Sequence, residues 1–558
     1  MDAAWCADAH RSMWRLAADS RLREVQEIAR GIAREVVMPA LAAGAADSPV
    51  WTAAKASVLD ALDRTGLTGL LDRAHSAPAV SLGLAAAELA MADGGAATCL
   101  LSGCLAHMVV RDFGTPEQRT RYLDRSRYPH AALCLTEPPP GAGVDALTLT
   151  GCARLLNAPS GAGPLLDVEK RGRFISHMEF ADFVLLAVDS GDPRLAGGCV
   201  FVAEPGDEGL FDRGLPVRTL GHRLSSVTSP AFRLRLPASR ILGGYTVEGD
   251  RLAPQVGYRE ALEPALRRCR PVVTLMTAGK LLATMETVLA LGLPDLAAAL
   301  RLVDAWAGAE AAASLGMEAA RISDRLDACT PSPVGLSAEG AVMGAAARLF
   351  GTAHAAQRMT RYAAIPEVLG RLLDAQVEAV YLGAESLQRR LLAASMAAPA
   401  FPSRLAAWTA EAAELGTLRA GLALLGWTLE FLQRMHLLTD ARQSVGFPLA
   451  DALCRLLAAR ALAADVCSLR AAGDPALGFF KDLSVAESAA AGSMVAQICT
   501  TAIFGYAGPD GPAEEDLCSF SSLRAAVDSG LVGSSGARMR AAAFLLARSI
   551  DIRSYPVT

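Results

Sequence analysis

Hydrophobic residues recur at helical spacing in the first part of the chain, from about 20 to 125. Ala85, Leu89, Ala92 and Ala96 follow one another at intervals of three or four residues, and turn-forming residues are sparse. Apolar residues at this spacing line one face of an amphipathic helix. The pattern predicts an N-terminal helical domain over residues 1–125.

The pattern changes between about 131 and 247. Phe232, Leu234 and Leu236 alternate with Arg233 and Arg235, and glycines and prolines separate such runs from one another. Alternation with a period of two places apolar side chains on one face of a strand. This segment predicts a middle antiparallel β-domain over residues 126–250.

Helical periodicity returns at about residue 255 and continues towards the end of the chain, in a region rich in alanine and leucine. Apolar helices that follow one another in this way pack as a bundle. The sequence therefore predicts an α+β fold with a C-terminal helical bundle over residues 251–558.

Composition narrows the choice of partner. The 558 residues are 52% hydrophobic and 20% charged, as in a folded protein with more than one core. The net charge of -5 provides no basic field for nucleic acid. Asp2, Asp8, Arg11 and Arg15 interrupt the N-terminus, and no apolar run reaches the length of a membrane span. We expect a cytoplasmic protein that binds neither nucleic acid nor a membrane.

The 12 cysteines show no C-x-x-C pair and no Cys/His spacing of the kind that holds zinc. Free cysteines are among the most buried residue types. We expect reduced, buried thiols and no metal site.

Three short segments of the predicted β-domain carry recognisable motifs. They are residues 135–141 (LTEPPPG), 174–176 (FIS) and 220–225 (LGHRLS), in this order along the chain. They resemble the TEP-x-x-G-S, F/W-I-T/S and L-G-x-R-x-S motifs of the acyl-CoA dehydrogenase family. The resemblance implies that flavin adenine dinucleotide (FAD) lies between the β-domain and the bundle. It also implies an acyl thioester of coenzyme A or of an acyl-carrier protein as substrate.

The resemblance assigns cofactor contacts in the β-domain. Leu135, Thr136 and Gly141 match the segment that faces the pyrimidine edge of the flavin. Ser176 matches a hydroxyl that reaches towards flavin N5, and Phe174 matches an aromatic side chain that shields the ring.

Three further residues are assigned to the substrate by the same resemblance. Arg223 and Ser225 belong to the third motif, and Ala142 stands where the family has a serine that contacts flavin and substrate. The alanine removes one hydrogen-bond donor, a loss of about 1 to 3 kcal/mol if the partner is left unpaired in a dry site.

The bundle matches the family less well. Arg442 resembles the arginine that holds the flavin pyrophosphate, often across a subunit interface, and Gln497 resembles the glutamine of A-x-Q-x-x-G-G. Thr500 and Thr501 replace the two glycines of that motif, and a Cβ there opposes the close approach of a phosphate. The resemblance therefore implies a partly eroded dinucleotide site.

The residue that removes the substrate α-proton in the family is a glutamate immediately before a Gly-Thr/Ser turn. The matching string near the C-terminus is Val532-Gly533-Ser534, in which Val532 cannot accept a proton. The resemblance places Val532 and Gly533 at the substrate and Ser534 at the cofactor.

Some family members carry this glutamate on the opposite helix, at the position that matches Cys269 or Gly416 here. Glu414 and Glu411 lie within about one helical turn of Gly416. Glu414 is the candidate base, and Asp528, one turn before the valine, is a weaker one.

The helical region is larger than the family's bundle. The order of the motifs places the extra helices at about 255–410. Either an insertion after about residue 295 splits the long helix that follows the β-domain, or a helical module precedes that helix.

Two functional hypotheses follow. In the first, the chain is an FAD-dependent oxidoreductase that desaturates an acyl thioester with a relocated or substituted base. In the second, it is a non-redox member of the fold, a partner subunit or a thioester-binding enzyme. His177, beside Ser176, leaves a flavin monooxygenase open, although a hydrogen-bonded structural histidine is favoured over that role. The family's use of Arg442 and Gln497 across subunits implies a homodimer or homotetramer, or a hetero-oligomer with a homologous subunit.

Overall fold

The computed structural model describes residues 20–44, 51–69, 77–139, 149–156, 163–219, 221–329, 334–381, 383–412, 415–439, 442–505 and 512–547. Gly141, Ala142 and Glu414, which the motifs assign to the site, lie outside these residues.

Internal contacts divide the chain into two compact units. The sheet unit consists of Val25–Cys269 together with the short segment Val380–Gly383. The bundle unit consists of Met1–Glu24, Arg270–Ala379 and Ala384–Thr558.

Helices precede the strands. They are α1 (Ser20–Ile32), which continues through a π-helical turn (Ala33–Val37) into α2 (Met38–Ala42), then α3 (Trp51–Arg64), α4 (Pro78–Ala92), α5 (Gly94–Phe113) and α6 (Pro116–Tyr122). Most side chains of α4 and α5 are buried, and Asp93 caps α5 by accepting a 2.9 Å hydrogen bond from the Ala96 amide. These apolar helices form the helical side of the core of the sheet unit.

Eleven strands follow in the described part of the chain. They are β1 (Ala131–Cys134), β2 (Cys152–Leu156), β3 (Leu165–Arg171), β4 (Ile175–Ser176), β5 (Phe183–Ser190), β6 (Cys199–Ala203), β7 (Glu208–Asp212), β8 (Val227–Thr228), β9 (Ala231–Pro237), β10 (Tyr245–Glu248) and β11 (Arg251–Pro254). The main sheet has the order β1-β5-β2-β3-β9-β7, with β6 paired to β5. The pairs β4–β8 and β10–β11 form two small antiparallel ladders.

Pairing in the sheet is mixed, whereas the alternation of residues suggested an antiparallel domain. β1 and β2 both run parallel to β5, and the other neighbours are antiparallel. Alternation tells which face of a strand is buried but not its direction, and the long connections from β1 and β2 to β5 permit parallel pairing. The alternation of β9 is as expected, since Phe232, Leu234 and Leu236 are all buried in the core.

The remaining described helices follow the sheet. They are α7 (Tyr258–Leu291), α8 (Leu296–Ala328), α9 (Val334–Leu349) with its π and 3-10 continuations (Phe350–Ala355 and Ala356–Tyr362), α10 (Pro366–Glu378), α11 (Glu385–Ala397), α12 (Phe401–Glu411), α13 (Gly416–Arg434), α14 (Gln443–Ala472), α15 (Leu477–Phe504), α16 (Glu514–Gly530) and α17 (Ser534–Leu546).

These helices fall into two similar sets, α7–α11 and α13–α17. Each set has three longer helices and then two shorter ones, and a glycine with positive φ precedes the last helix: Gly383 (φ 92°) and Gly533 (φ 85°). The sets pack against each other through α8, which contacts α14, α15 and α17. In the sequence, the segment Val380–Gly383 of the sheet unit lies between α10 and α11 of the first set. The sequence motifs placed the extra helices at about 255–410, and this placement stays a prediction because the two sets have the same order of helices.

Two described helices, Gly94–Phe113 and Tyr258–Leu291, have the length and apolar composition of a membrane span. Most of the apolar window of each helix is buried within the protein, 67% and 83% respectively. The core helices of globular domains pass the same test, so these two carry little weight as membrane spans.

Candidate functional site

The turn that follows β1 is held by a buried ion pair. The Glu137 carboxylate accepts hydrogen bonds from Lys170 Nζ (2.6 Å), from the Thr150 amide (2.6 Å) and hydroxyl (2.8 Å), and from the Gly151 amide (2.8 Å). Lys170 also donates to the Leu135 carbonyl at 3.1 Å. Burial opposes the charge of Glu137, but Lys170 and the two amides outweigh it and hold its pKa below the usual value. The network fixes the backbone that carries Leu135 and Thr136.

The second motif lies against this turn. The Arg173 amide donates a 2.9 Å hydrogen bond to the Thr136 carbonyl. Phe174 follows with φ 57°, a left-handed conformation that costs a non-glycine residue free energy. Its ring is 56% exposed and lies 4.5 Å from the Arg173 guanidinium. Thr136 and Ser176 are half-buried. An exposed aromatic residue therefore lies close in the chain to Ser176, in a segment that is hydrogen-bonded to Thr136.

The third motif joins the second through the small ladder in which Ser176 pairs with Val227. Within it, Ser225 is 4% exposed and Arg223 is half-buried. The Leu224 amide donates to the cap residue Asp93 at 3.3 Å, so the loop is fixed to the start of α5. The structure thus brings the three motifs together, and we call the surface formed by Thr136, Phe174, Ser176, Arg223 and Ser225 the sheet-edge site.

His177 points away from the exposed face of this site. It is 2% exposed, and its ring packs against His130, with centroids 5.4 Å apart, and against Phe180. Burial, together with nearby Lys55, holds its pKa well below the usual value, so the ring is neutral. This burial favours the structural role over acid–base chemistry at the sheet-edge site.

Tyr381 is a residue that the motifs did not identify. It lies in the segment Val380–Gly383 of the sheet unit, and its hydroxyl is 3.4 Å from Thr98 Oγ1. Its ring contacts His222 of the third motif, with centroids 5.9 Å apart. The segment therefore reaches the loop that carries Arg223.

A signal for this segment was present in the sequence. Leu382-Gly383-Ala384 repeats the apolar-Gly-small pattern of Val532-Gly533-Ser534, and both strings precede a helix. Either string can match the family's glutamate-glycine turn. Leu382 itself lies outside the described residues, and like Val532 it carries no carboxylate.

The predicted residues of the bundle lie in the other unit. Arg442 and Gln497 are exposed, and no side-chain partner is found for either among the described residues. Thr500 and Thr501 bond back to their own helix, and Val532 is 85% exposed. Gly533 adopts the left-handed conformation before α17. Ser534 of this group lines a cavity.

That cavity has a volume of about 760 Å³ and lies within the bundle unit, between the two helix sets. Arg358, Arg361, Arg455 and Arg538 line it, together with Asp304 and Glu487. We call it the arginine cavity. Its lining from the first set also includes His354, Gln357 and Thr360, and from the second set Ser493, Leu531 and Ser535.

A grouping of metal-ligand types lies beside the arginine cavity: His354, Asp451 and Cys454. Its electrostatics oppose a cation. Asp451 already pairs with Arg389 at 3.1 Å, and Arg455 donates to His354 Nδ1 at 3.2 Å. Because arginine only donates, His354 Nδ1 must accept and Nε2 must donate to Asp451 at 2.9 Å. Burial raises the pKa of Cys454 well above the usual value, so its sulfur is a neutral thiol.

The comparisons with known proteins rest on structure alone. No protein-family model matches the chain, and no curated protein matches it. Among solved structures, an acyl-CoA dehydrogenase from Bacillus anthracis complexed with FAD is similar with a TM-score of 0.74 and 16% identity, over 96% of each chain.

Shorter proteins match a part of the chain. Butyryl-CoA dehydrogenase from Megasphaera elsdenii matches with a TM-score of 0.53 and 19% identity, over 68% of this chain and 98% of its own. Nitroalkane oxidase from Podospora anserina matches with a TM-score of 0.55 and 19% identity, over 69% of this chain and 97% of its own. The resemblance found in the motifs is confirmed at the level of structure: the chain has the acyl-CoA dehydrogenase fold, and the shorter proteins match about two thirds of it.

Proposed function

We propose that the chain is an FAD-dependent oxidoreductase that acts on an acyl thioester of coenzyme A or of an acyl-carrier protein. The observation that carries the proposal is the sheet-edge site. There the exposed residue Phe174 has a left-handed backbone, beside the hydrogen bond from the Arg173 amide to the Thr136 carbonyl. Strain of this kind persists where the surrounding structure enforces it, and it clusters at functional sites.

The residues of this site suit a planar heterocycle. A bound flavin would accept a hydride from the substrate. The chain supplies an aromatic face from Phe174 and hydroxyl groups from Thr136 and Ser176 for the edge of a ring. The solved neighbours support FAD in particular, since the Bacillus anthracis protein is complexed with FAD and a Mycobacterium smegmatis glutaryl-CoA dehydrogenase is in complex with FADH2.

The dinucleotide half fits less well in the described residues. Arg442 and Gln497 are exposed, and the hydroxyls of Thr500 and Thr501 bond to their own helix. Gly141, which the motifs also assign to the cofactor, is outside the described residues. We therefore expect FAD to bind more weakly than in a protein that keeps all these contacts.

The reaction that we propose is α,β-desaturation with a relocated or substituted base. Neither string that matches the glutamate position carries a carboxylate, because the residues are Leu382 and Val532. Glu414 remains the candidate base. The same absence favours the second function, a thioester-binding protein of this fold that has lost redox chemistry.

The experiment that separates these functions begins with the visible absorbance of the purified protein. We expect an oxidised-flavin spectrum after incubation with FAD, and release of FAD on denaturation. Phe174→Ala should weaken FAD binding, since base or ring stacking on an aromatic side chain is worth about 1 to 3 kcal/mol. Phe211→Ala, which removes a packed ring elsewhere in the sheet unit, is the matched control.

Two results would refute the oxidoreductase. One is a protein that takes up no FAD yet binds acyl-CoA, which would establish the non-redox function. The other is FAD binding that is unchanged in Phe174→Ala, because the cofactor would then lie elsewhere.

A further inference from the structure

The arginine cavity carries more positive charge than its own carboxylates neutralise. Four guanidinium groups line it and two carboxylates face them, an excess of two positive charges. The ring of His354 adds none, because burial lowers its pKa and Arg455 occupies its acceptor nitrogen.

The carboxylates are already occupied. Glu487 receives two hydrogen bonds from Arg358, at 2.7 and 2.8 Å. Asp304 receives two from Arg538, at 2.9 and 2.8 Å, and a third from Arg361 at 3.3 Å. Such bidentate pairs leave little acceptor capacity for another cation.

Arg455 is the one of these four arginines that takes no part in the pairs with Glu487 and Asp304. Among the described residues, no carboxylate lies within ion-pair distance of it, and its hydrogen-bond partner is the neutral ring of His354. Glu487 attracts it from farther away, but burial dominates and lowers its pKa. A half-buried cation without an anion is costly, so the site gains when an anion enters.

The start of α17 opens on the same cavity. Ser534 and Ser535 line it, and Gly533 provides no side-chain cap for the helix. The first turn of α17 contains no acidic residue. The Ser534 amide donates to the Leu531 carbonyl at 3.1 Å, and the start of the helix carries a partial positive charge, which suits an anion.

We propose that the arginine cavity binds the dianionic phosphate group of a small phosphorylated molecule, with Arg455 as its principal partner. The excess of two positive charges matches a phosphate dianion, and the amides of α17 and the fork of Arg455 are phosphate donors. The cavity exceeds the size of a phosphate group, and ligand pockets fall in the range of about 300 to 1,000 Å³. The remaining space accommodates the organic part of a phosphomonoester. This proposal is independent of the reaction at the sheet-edge site.

The test measures thermal midpoint and calorimetric binding for the full-length protein, in a buffer without multivalent anions. The probes are inorganic phosphate, a sugar phosphate and a nucleoside monophosphate. We expect saturable binding of at least one, and a rise in the midpoint as the site fills. Tighter binding of an organic phosphate than of inorganic phosphate would show that the ligand is a phosphorylated molecule and not free phosphate.

Arg455→Gln should weaken binding at least tenfold and remove the rise in midpoint. Without anion, its midpoint should equal or exceed that of the wild type, because the substitution removes an uncompensated cation. Arg455→Lys should bind with intermediate affinity, since it keeps the charge but loses the fork. Arg434→Gln, which removes an exposed arginine paired with Asp516 on the same unit, is the control for a general effect of charge.

Three results would overturn the proposal. The first is no saturable binding of any probe to the wild type. The second is equal binding by wild type and Arg455→Gln, which would show that Arg455 is not the partner of the phosphate. The third is parallel loss of FAD and phosphate binding in Arg455→Gln, which would assign the cavity to the phosphates of the flavin. FAD content is therefore measured in every variant.

Discussion

Removal of the buried carboxylate of Glu137 should destabilise the sheet unit and loosen the sheet-edge site together. In Glu137→Gln the side chain keeps its shape, but Lys170 loses its counter-ion in a position with 0% of its side chain exposed. The amide nitrogen of the new glutamine would replace one carboxylate oxygen that accepts hydrogen bonds. In either orientation this nitrogen would face a donor, either Lys170 or the Thr150 amide. Breaking one partner of a buried ion pair costs about 3 to 5 kcal/mol.

The assay is denaturant unfolding, followed by far-UV circular dichroism and by release of FAD. A chain with two compact units need not unfold in one step, so the transition that releases FAD is the one to compare. We expect the free energy of unfolding for this transition to fall by about 3 to 5 kcal/mol in Glu137→Gln. The matched control is Glu169→Gln on the neighbouring position of β3, which removes an exposed pair with Arg233 and should change stability by less than about 1 kcal/mol.

A double substitution sharpens the test. Glu137→Gln with Lys170→Met removes the stranded charge, and should recover much of the lost stability because apolar replacement of a buried pair is often neutral. The reasoning would be refuted by a single variant that loses less than about 1 kcal/mol, or by a double variant that is less stable than Glu137→Gln alone.

The same carboxylate predicts the response to acid. The pKa of Glu137 is lower in the folded protein than its usual value of 4.5. The unfolded chain therefore binds the proton more tightly, and the contribution of this group is complete above pH 4.5 and is lost as the pH falls through the folded pKa. In Glu137→Gln this part of the acid dependence should be absent.

Three further predictions concern the site and the assembly. Phe174→Gly should stabilise the protein by about 1 kcal/mol by relieving a left-handed non-glycine residue, and yet weaken FAD binding; a stable variant with undiminished FAD affinity would argue against stacking on this ring. Leu382→Glu and Val532→Glu test the two matches to the glutamate position, and the carboxylate at the true position should raise α,β-desaturation of an acyl thioester by roughly 10² to 10⁴-fold whereas the other should not. If the second set is the one that matches and Glu414 is the base, Glu414→Gln should abolish the activity of the wild type. Sedimentation at micromolar concentration should show a dimer or tetramer. A monomer would contradict the assembly that the family resemblance implies.

Much of the fold could be predicted from periodicity, because burial of one face imposes a period on each kind of element. Phe232, Leu234 and Leu236 lie in the core as their alternation requires. Strand direction could not be predicted, since β1 and β2 meet β5 in parallel through connections whose path no local pattern encodes. The motifs near Thr136 and Phe174 are local turns, so the sequence could identify each of them. The family resemblance then predicted that the two turns belong to one site.

The bundle part of the site was harder to predict for a specific reason. Two sets of helices of similar order follow the sheet, so each motif of the bundle has two places to match. Sequence similarity alone selected the second set, through Arg442, Gln497 and Val532. The contacts of Tyr381 with Thr98 and His222 are long-range, and no local pattern in the sequence encodes them.

This repetition also accounts for the arginine cavity. Where two helix sets pack against each other, α8 and the continuation of α9 face α14, α15 and the start of α17. A bundle built from one set would expose Arg358 and Asp304 to solvent or to another chain, whereas the second set supplies Glu487 and Arg538 as their partners. It also supplies Arg455, for which the first set offers only the neutral ring of His354. An apolar residue in place of Arg455 would make the contact between the two sets more stable, since an unpaired half-buried cation costs free energy. The arginine is therefore best explained by an anion that binds between the two sets.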